Sequence, residues 1–584
     1  MKEILSGNEA IARGAFEAGC RVACAYPGTP STEILENTVN YKEIDSSWAP
    51  NEKVALEVGI GASFGGGRAL VTMKHVGVNV AADPLFTLSY TGVNGGLVLV
   101  TADDPEMHSS QNEQDNRNYA KFAKIPMLEP SDSQECKEFT RLGFEISEQY
   151  DTPVMLRTTT RISHSKSIVE LNDRVTGLPE PKLVKNAAKL VMLPGNARVR
   201  HPLVEERMVN LAKDGATMAL NRLELRNPAM GIITSGVCYQ YVREVLPEAS
   251  TLKLGMIHPL PTELIREFAA KVEKLYVVEE LDPFIEEQVK SLGITVIGKD
   301  ILPVCGELTP GRIRNAFGLP EPAATVAGKL PGRPPNMCPG CPHRGVFFAL
   351  NQLKAYVTGD IGCYTLGFMP PLSAMDTCVC MGASIGMATG VSKVVSEEER
   401  KRVVAVIGDS TFLHTGINGL MDMVYNNSSA TVVILDNRIT AMTGRQDNPA
   451  SGFTLMDDPT HNIDFPLLCK SLGVKHIRVV NPFDLEQTRR VLQEEMARPE
   501  PSVIITDKPC VLVKREGVFV KGVELVVEVD KCTSCRVCLK IGCPAIEWRP
   551  AEGKKGKAYI DPLLCTGCDV CRQLCKFEAI GRAK

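Results

Sequence analysis

Eight cysteines between residues 532 and 575 fall into two tight runs, Cys532-x2-Cys535-x2-Cys538-x4-Cys543-Pro544 and Cys565-x2-Cys568-x2-Cys571-x3-Cys575. No other feature restricts the chain as much, because thiolates two residues apart wrap a short loop around three irons of a cubane. The fourth iron takes a distant thiolate, which in this arrangement belongs to the other run. The spacing predicts one [4Fe-4S] cluster on Cys532, Cys535, Cys538 and Cys575 and a second on Cys543, Cys565, Cys568 and Cys571. Zinc knuckles use pairs of cysteines rather than triplets closed by a fourth, and disulfides do not suit a chain of this kind in a reducing compartment. Two departures bear on cluster geometry and potential. Four residues rather than three precede Cys543, and Lys576 follows Cys575 where proline is usual.

At 584 residues the chain has room for roughly four domains. Its net charge of -4 offers no basic field for nucleic acid, and Lys554-Lys555-Gly556-Lys557 reads as a solvated turn between the cysteine runs. The first residues have no signal-peptide core, and no apolar run approaches the roughly eighteen residues that cross a bilayer, so a cytoplasmic, membrane-free protein is expected. Apolar strands at 22–26, 69–73, 97–101 and 154–157 alternate with helical stretches, which predicts a parallel α/β domain over 1–185. Residues 186–317 read as linker helices and a smaller α/β domain, with strands starting at Gly231, Thr251 and Lys274. The proline-rich stretch 318–336 reads as a linker, 337–515 as a third α/β domain and 521–584 as an α+β two-cluster tail.

In the third domain, the strand 403–407 runs into Gly408-Asp409-Ser410, and a second strand, 431–435, ends at Asp436-Asn437-Arg438-Ile439. A crossover helix leaves two such strand ends side by side at the ligand-binding edge of a parallel sheet, so Asp409 and Asn437 can converge there. A hard divalent cation needs oxygen ligands. A carboxylate, an amide oxygen and a backbone carbonyl supply half an octahedron that a diphosphate completes, and Gly408 lets the backbone approach the phosphates. A Gly-Asp turn alone is a common loop; with Asn437 at this spacing it resembles the thiamine diphosphate motif, with Ser410 in place of its last glycine. Thiamine chemistry also needs a carboxyl group hydrogen-bonded to the aminopyrimidine in an apolar cleft. Glu52, just ahead of an apolar helix, is the candidate. Glu57, one turn on, competes, and an acid at a helix start is also stabilised by the dipole alone.

Together these marks resemble the 2-oxoacid:ferredoxin oxidoreductases, and most closely their arylpyruvate-oxidising alpha subunits, over essentially the whole chain. The resemblance is carried by Tyr26-Pro27-Gly28-Thr29-Pro30-Ser31, the Glu52 helix, Cys338-Pro339-Gly340-Cys341-Pro342-His343-Arg344-Gly345, Gly408-Asp409-Ser410-Thr411 with Leu435-Asp436-Asn437, and the ferredoxin-like tail. It implies two thiamine diphosphate-binding-type parallel α/β domains, a smaller transketolase C-terminal-like α/β domain and a two-cluster ferredoxin domain. Enzymes of this family decarboxylate a 2-oxoacid on thiamine diphosphate, pass the electrons singly through clusters to ferredoxin and give the acyl group to coenzyme A. The resemblance puts Glu52 on the pyrimidine, Asp409, Asn437 and the Ile439 carbonyl on Mg2+, and Thr29 near the substrate carboxylate, although Thr29 is also a natural turn residue. Pyruvate-specific relatives carry an arginine after the strand at 97–101, where this chain has Ala102-Asp103-Asp104, so an arylpyruvate (indolepyruvate, phenylpyruvate or hydroxyphenylpyruvate) is the implied substrate. His75 and His108 either enter that pocket or are ordinary loop histidines. Cys338, Cys341, Cys363 and Cys510 stand where related domains hold a third cluster, or are small core residues. A smaller beta subunit carrying the gamma-type domain is expected, in an αβ or α2β2 assembly. The competing readings are a relative acting on another 2-oxoacid, a non-oxidative thiamine decarboxylase, which would have no use for the cysteine runs, and an electron-carrying subunit with an inactive thiamine site.

Overall fold

The computed structural model describes residues 1–320, 331–332, 334–513, 515, 517–551 and 554–583, so residues 321–330 and 333 of the proline-rich stretch lie outside the described residues. It resolves into two compact units, Met1–Gly328 and Lys329–Lys584. Among the described residues no helix is long and apolar enough to cross a membrane.

The first unit is built on a seven-stranded sheet in the order Met256–His258, Met127–Leu128, Val154–Thr159, Leu97–Asp103, Ala69–Lys74, Val22–Ala25, Asp45–Trp48. All neighbours are parallel except the first pair. The strands Ala69–Lys74, Leu97–Asp103 and Val154–Thr159 are buried at every position, as helices on both faces require. The helix Glu52–Phe64 lies very close to this sheet, because a Cβ at Gly59 would meet Val71 Cγ2 at 2.4 Å.

A second sheet runs Leu275–Val278, Asn227–Ser235, Ala249–Leu254, Arg222–Glu224, with only the last strand antiparallel. The chain then leaves it, and Met256–His258 pairs with Met127–Leu128, so residues 186–317 contribute an edge strand to the sheet of residues 1–185. Arg117 ties the same two parts together from a fully buried position, bonded to Asp115 at 2.6 Å and Glu279 at 2.5 Å. The longest of the linker helices expected in 186–317 is Pro194–Asp214, ending before the strand Arg222–Glu224.

The second unit contains a fully parallel five-stranded sheet, in the order Tyr356–Thr358, Val403–Gly408, Thr431–Asp436, Ser502–Asp507, His476–Val480. Gly408 stands opposite Leu435, which sets Asp409 beside Asp436 just past the carboxyl ends of adjacent strands. Ahead of Val403–Gly408 lies the helix Ala383–Val394, and Gly382 at its start holds φ +84°, a left-handed conformation that favours glycine. In the tail, Leu525–Val527 pairs with Ile580–Arg582, and Ile546–Ala551 with Lys554–Ile560. The lysines expected in a solvated turn therefore belong to a strand. Its alternation of buried Ala558 and Ile560 with half-buried Lys557 and Tyr559 is a period-two pattern that the charges concealed.

Candidate functional site

In the first unit, Asn51 caps the helix Glu52–Phe64, its Oδ1 accepting from Val54 N at 2.9 Å. This leaves Glu52 at the first helical position, 5% exposed. Its side chain is seated on Gly77: a Cβ there would stand 2.6 Å from Glu52 Cγ and 2.7 Å from Oε1. Glu57 is exposed and paired with Lys53. Of the two acids, only Glu52 has the buried setting that a proton-relaying carboxyl group requires. Gly77 had no signal in the sequence beyond being a glycine in a short helix, His75–Val80.

Thr29 sits half-buried in the turn after Val22–Ala25, and its carbonyl accepts from Ser109 Oγ at 3.4 Å. His75 is fully buried, its Nε2 3.3 Å from Asn112 Oδ1, and burial and then the Lys74 charge lower its pKa. His108 is part-exposed, 3.4 Å from Glu307. The structure thus brings His75 into the interior beside Lys74 and leaves His108 at the surface beside Glu307.

In the second unit, Asp409 is 2% exposed. Its Oδ1 accepts from Ser410 N at 2.7 Å, while Oδ2 is buried without a hydrogen bond. Burial, and then the neighbouring Asp436, hold its pKa well above the usual carboxylate range. Asn437 Oδ1 accepts from Ile439 N at 3.2 Å, and its Nδ2 lies 3.3 Å from His343 Nε2. Burial pulls His343 down to about 4, so the ring is neutral and accepts from the amide, which fixes the Asn437 oxygen on the other side. Arg438 adopts φ +64°, turning the chain so that Ile439 follows closely. A buried carboxylate with one oxygen left over, beside an oriented amide oxygen, fits a divalent cation. Gly408 has a nearer constraint than phosphate, since a Cβ there would meet Tyr364 Cε1 at 2.7 Å. Ser410 replaces the motif's glycine without strain, its hydroxyl accepting from Thr440 Oγ1 at 2.9 Å.

The cysteines gather in three groups. Cys532, Cys535, Cys538 and Cys575 line one cavity with Trp548 and Phe577. Cys538 is pushed up to about 11 by burial and then by Cys535 and Cys532, with Cys575 adding to it. Cys571 is held well above its ordinary value by burial and then by Cys568, Cys543 and Cys565. In the third group, burial and then Cys510 and Cys338 push Cys363 up to about 11, and the same two thiols act on Cys341. The thiols of each group lie close enough to raise one another's pKa, and a bound metal would draw them to thiolates. Among the described residues no three His, Cys, Asp or Glu side chains close on a single ion. A cubane asks for something wider, one thiolate on each of four irons.

Two contacts join these groups. Gly340, inside Cys338-Pro339-Gly340-Cys341, faces Thr566 so closely that a Cβ would fall 2.0 Å from its Oγ1, and Thr566 follows Cys565. Buried Arg344 donates to the Cys338 carbonyl at 3.2 Å and, across to the tail, to the Ile541 and Gly542 carbonyls at 3.2 and 2.6 Å. The Cys510 N–H bonds the Asn437 carbonyl at 3.0 Å. Arg344 and Gly340 were visible in the sequence as motif letters, but their partners lie about two hundred residues away.

Two family profiles match the chain. Residues 13–227 match pyruvate flavodoxin/ferredoxin oxidoreductase, thiamine diphosphate-binding, and residues 360–506 match thiamine pyrophosphate enzyme, C-terminal TPP binding domain. With the parallel sheets and the Asp409 edge, they define a thiamine diphosphate-binding 2-oxoacid oxidoreductase. The indolepyruvate oxidoreductase subunit IorA of Pyrococcus horikoshii is 40% identical over 100% of this chain and 97% of its own length. That of Archaeoglobus fulgidus is 40% identical over 100% and 98%. The chain belongs to the family of these IorA subunits. Among solved structures, a 2-oxoglutarate:ferredoxin oxidoreductase from Magnetococcus marinus is 18% identical, covering 54% of this chain and 65% of its own, with a TM-score of 0.46.

Proposed function

We propose that the chain is the catalytic subunit of an enzyme that oxidatively decarboxylates arylpyruvates, indolepyruvate foremost, to aryl-acetyl-CoA and CO2 while reducing ferredoxin. Thiamine diphosphate, when bound, supplies the electron sink for decarboxylation. Glu52, buried against Gly77, holds the proton that the aminopyrimidine exchanges. Asp409, Asn437 and the Ile439 carbonyl hold Mg2+ and with it the diphosphate, and His343 orients Asn437. Residues 1–185, 186–317, 337–515 and 521–584 are the working segments, the first for the pyrimidine, the third for the diphosphate and the last for electron export. Two [4Fe-4S] clusters occupy the tail cysteines, and a third occupies Cys338, Cys341, Cys363 and Cys510. Coenzyme A is the acyl acceptor. A smaller beta subunit completes an αβ or α2β2 assembly, in keeping with the relatives being named as subunits.

The single observation that carries the oxidative reading is the gathering of thiols at the diphosphate edge: the Cys510 N–H bonds the Asn437 carbonyl, the Cys510 thiol feels the charge of Cys338, and the Cys338–Cys341 turn packs on Thr566. A non-oxidative decarboxylase has no use for thiols packed in sequence beside its diphosphate edge. The test is reconstitution with the beta subunit, followed by iron and sulfide analysis and arylpyruvate- and coenzyme A-dependent ferredoxin reduction. Twelve irons and an activity abolished by Glu52→Gln are expected (about four irons per cluster). Full activity in the Glu52→Gln enzyme refutes the role of Glu52, and eight irons refute the third cluster.

A further inference from the structure

Lys74 ends the strand Ala69–Lys74 at the carboxyl edge of the first unit's sheet, the edge at which parallel α/β sheets bind ligands. It is only 8% exposed. Its stem runs along the turn that carries Thr29: a Cβ on Gly28 would stand 3.0 Å from Lys74 Cβ. The ammonium donates to the Ser109 carbonyl at 2.6 Å and faces the Ser109 hydroxyl at 3.4 Å, and that hydroxyl bonds the Thr29 carbonyl. Among the described residues no carboxylate pairs with it. Asp104, the nearest acid to influence it, is already engaged by Ser109 N at 2.8 Å, Ser110 Oγ at 2.5 Å and Thr160 Oγ1 at 2.8 Å. Burial draws the Lys74 pKa down to about 8, with Asp104 only partly opposing it.

A buried cation with no carboxylate in direct contact is expensive, and Asp104, whose oxygens are taken by Ser109, Ser110 and Thr160, offsets only part of that cost. An ammonium also has three donors, of which Ser109 uses at most two. Three residues on, Gly77 seats Glu52, so one short segment carries both the cation and the support of that carboxyl group. The adjacent strand, with Ala102 in register with Lys74, continues into Asp103-Asp104 and provides no cation of its own.

We propose that Lys74 is a substrate-binding residue whose ammonium, with the Thr29 turn, grips the carboxylate of the 2-oxoacid. This rests on the 2-oxoacid reading above and extends it to the group that recognises the acid. The carboxylate supplies the missing counter-ion, and the aromatic part of the substrate plays no part in this contact.

The test uses the assembled enzyme with its beta subunit and compares binding of indole-3-lactate, a non-reacting 2-hydroxyacid, with its neutral amide by calorimetry. The wild type is expected to prefer the acid by about ten-fold or more, as a charge-assisted bond implies. Lys74→Met and Lys74→Gln lose that preference, Lys74→Arg keeps most of it, and the KM for coenzyme A stays unchanged. Because the neutral variants remove an unpaired buried charge, their Tm holds or rises, whereas a purely structural lysine lowers it. Lys74→Gln keeps a donor to Ser109, so the loop stays seated. Retention of the acid preference in both neutral variants overturns the proposal. So does an equal loss of acid and amide binding with a lowered Tm, and so does a wild type that does not distinguish the two. If the wild type turns over a different 2-oxoacid instead, the arylpyruvate reading fails alone, and Lys74 is judged with that acid's hydroxy analogue and amide.

Discussion

Gly77→Ala separates the placement of Glu52 from the stability of the fold. The added Cβ would fall 2.7 Å from Glu52 Oε1 and 2.6 Å from Cγ. Unbonded carbon contacts settle at about 3.5 Å or more, so the side chain has to give way by about 1 Å. What moves is one side chain, from Glu52 Cγ outward, and no backbone atom. Alanine is meanwhile worth up to about 1 kcal/mol over glycine inside a helix, and Gly77 lies within His75–Val80. Tm should therefore hold or rise slightly. Catalysis should not hold, because a misplacement of about 1 Å costs about a hundred-fold in rate, or about 2.7 kcal/mol. The assay is arylpyruvate-dependent ferredoxin reduction by the reconstituted enzyme at saturating thiamine diphosphate, with thermal melts alongside. The double variant with Glu52→Gln should be no slower than Glu52→Gln alone, since both changes act through one carboxyl group. Full activity in Gly77→Ala, or additive losses in the double variant, would refute the seating of Glu52 on Gly77 as a catalytic requirement.

Arg344→Met removes the donors that join the Cys338 loop to the Ile541–Gly542 carbonyls. It should cost about 3 kcal/mol of tail attachment, read as faster proteolytic cleavage between 515 and 525 with the tail's own iron retained. Cys543→Ala, although it lies in the first run, should abolish the paramagnetic signal of the cluster held by Cys565, Cys568 and Cys571, because its thiol acts on Cys571; loss of the other cluster's signal would contradict the assignment. Glu57→Gln, which removes an exposed partner of Lys53, should leave activity within about two-fold and stability within about 0.5 kcal/mol. Lys74 is depressed from 10.5 to about 8, so between those values the unfolded chain binds the extra proton and stability rises with pH. Below about pH 8 the burial cost is present in full, and Lys74→Met should flatten the rise in Tm across pH 8 to 10.

The parts of this chain that could be read from its letters share a physical property: their information is local. Strands buried on both faces of a parallel sheet are continuous apolar runs, so Ala69–Lys74, Leu97–Asp103, Val403–Gly408 and Thr431–Asp436 could be placed to within about two residues. The spacing of the tail cysteines is local in the same way. Met256–His258 is too short to have a period, and nothing in it announces that it will join a sheet whose next strand is Met127–Leu128. Lys554–Ile560 was concealed for a related reason, since charge masked an alternation that only pairing with Ile546–Ala551 makes consequential.

The less legible features are the ones that position chemistry rather than supply it. Glu52 could be nominated from its helix, but its advantage over Glu57 depends on Gly77, which approaches it from the next helix. Asn437 could be nominated from spacing, but the orientation of its amide depends on His343, nearly a hundred residues earlier. A lysine closing an apolar strand normally leads the chain into water, whereas Gly28 and Ser109 close over Lys74. In each case a group with evident chemistry is held by a residue whose own type says little, at a distance in sequence that erases any pattern. Substitutions that preserve every motif can therefore still disable the enzyme, and Gly77 is such a position, since it lies outside the motifs and a Cβ there would fall 2.6 Å from Glu52 Cγ.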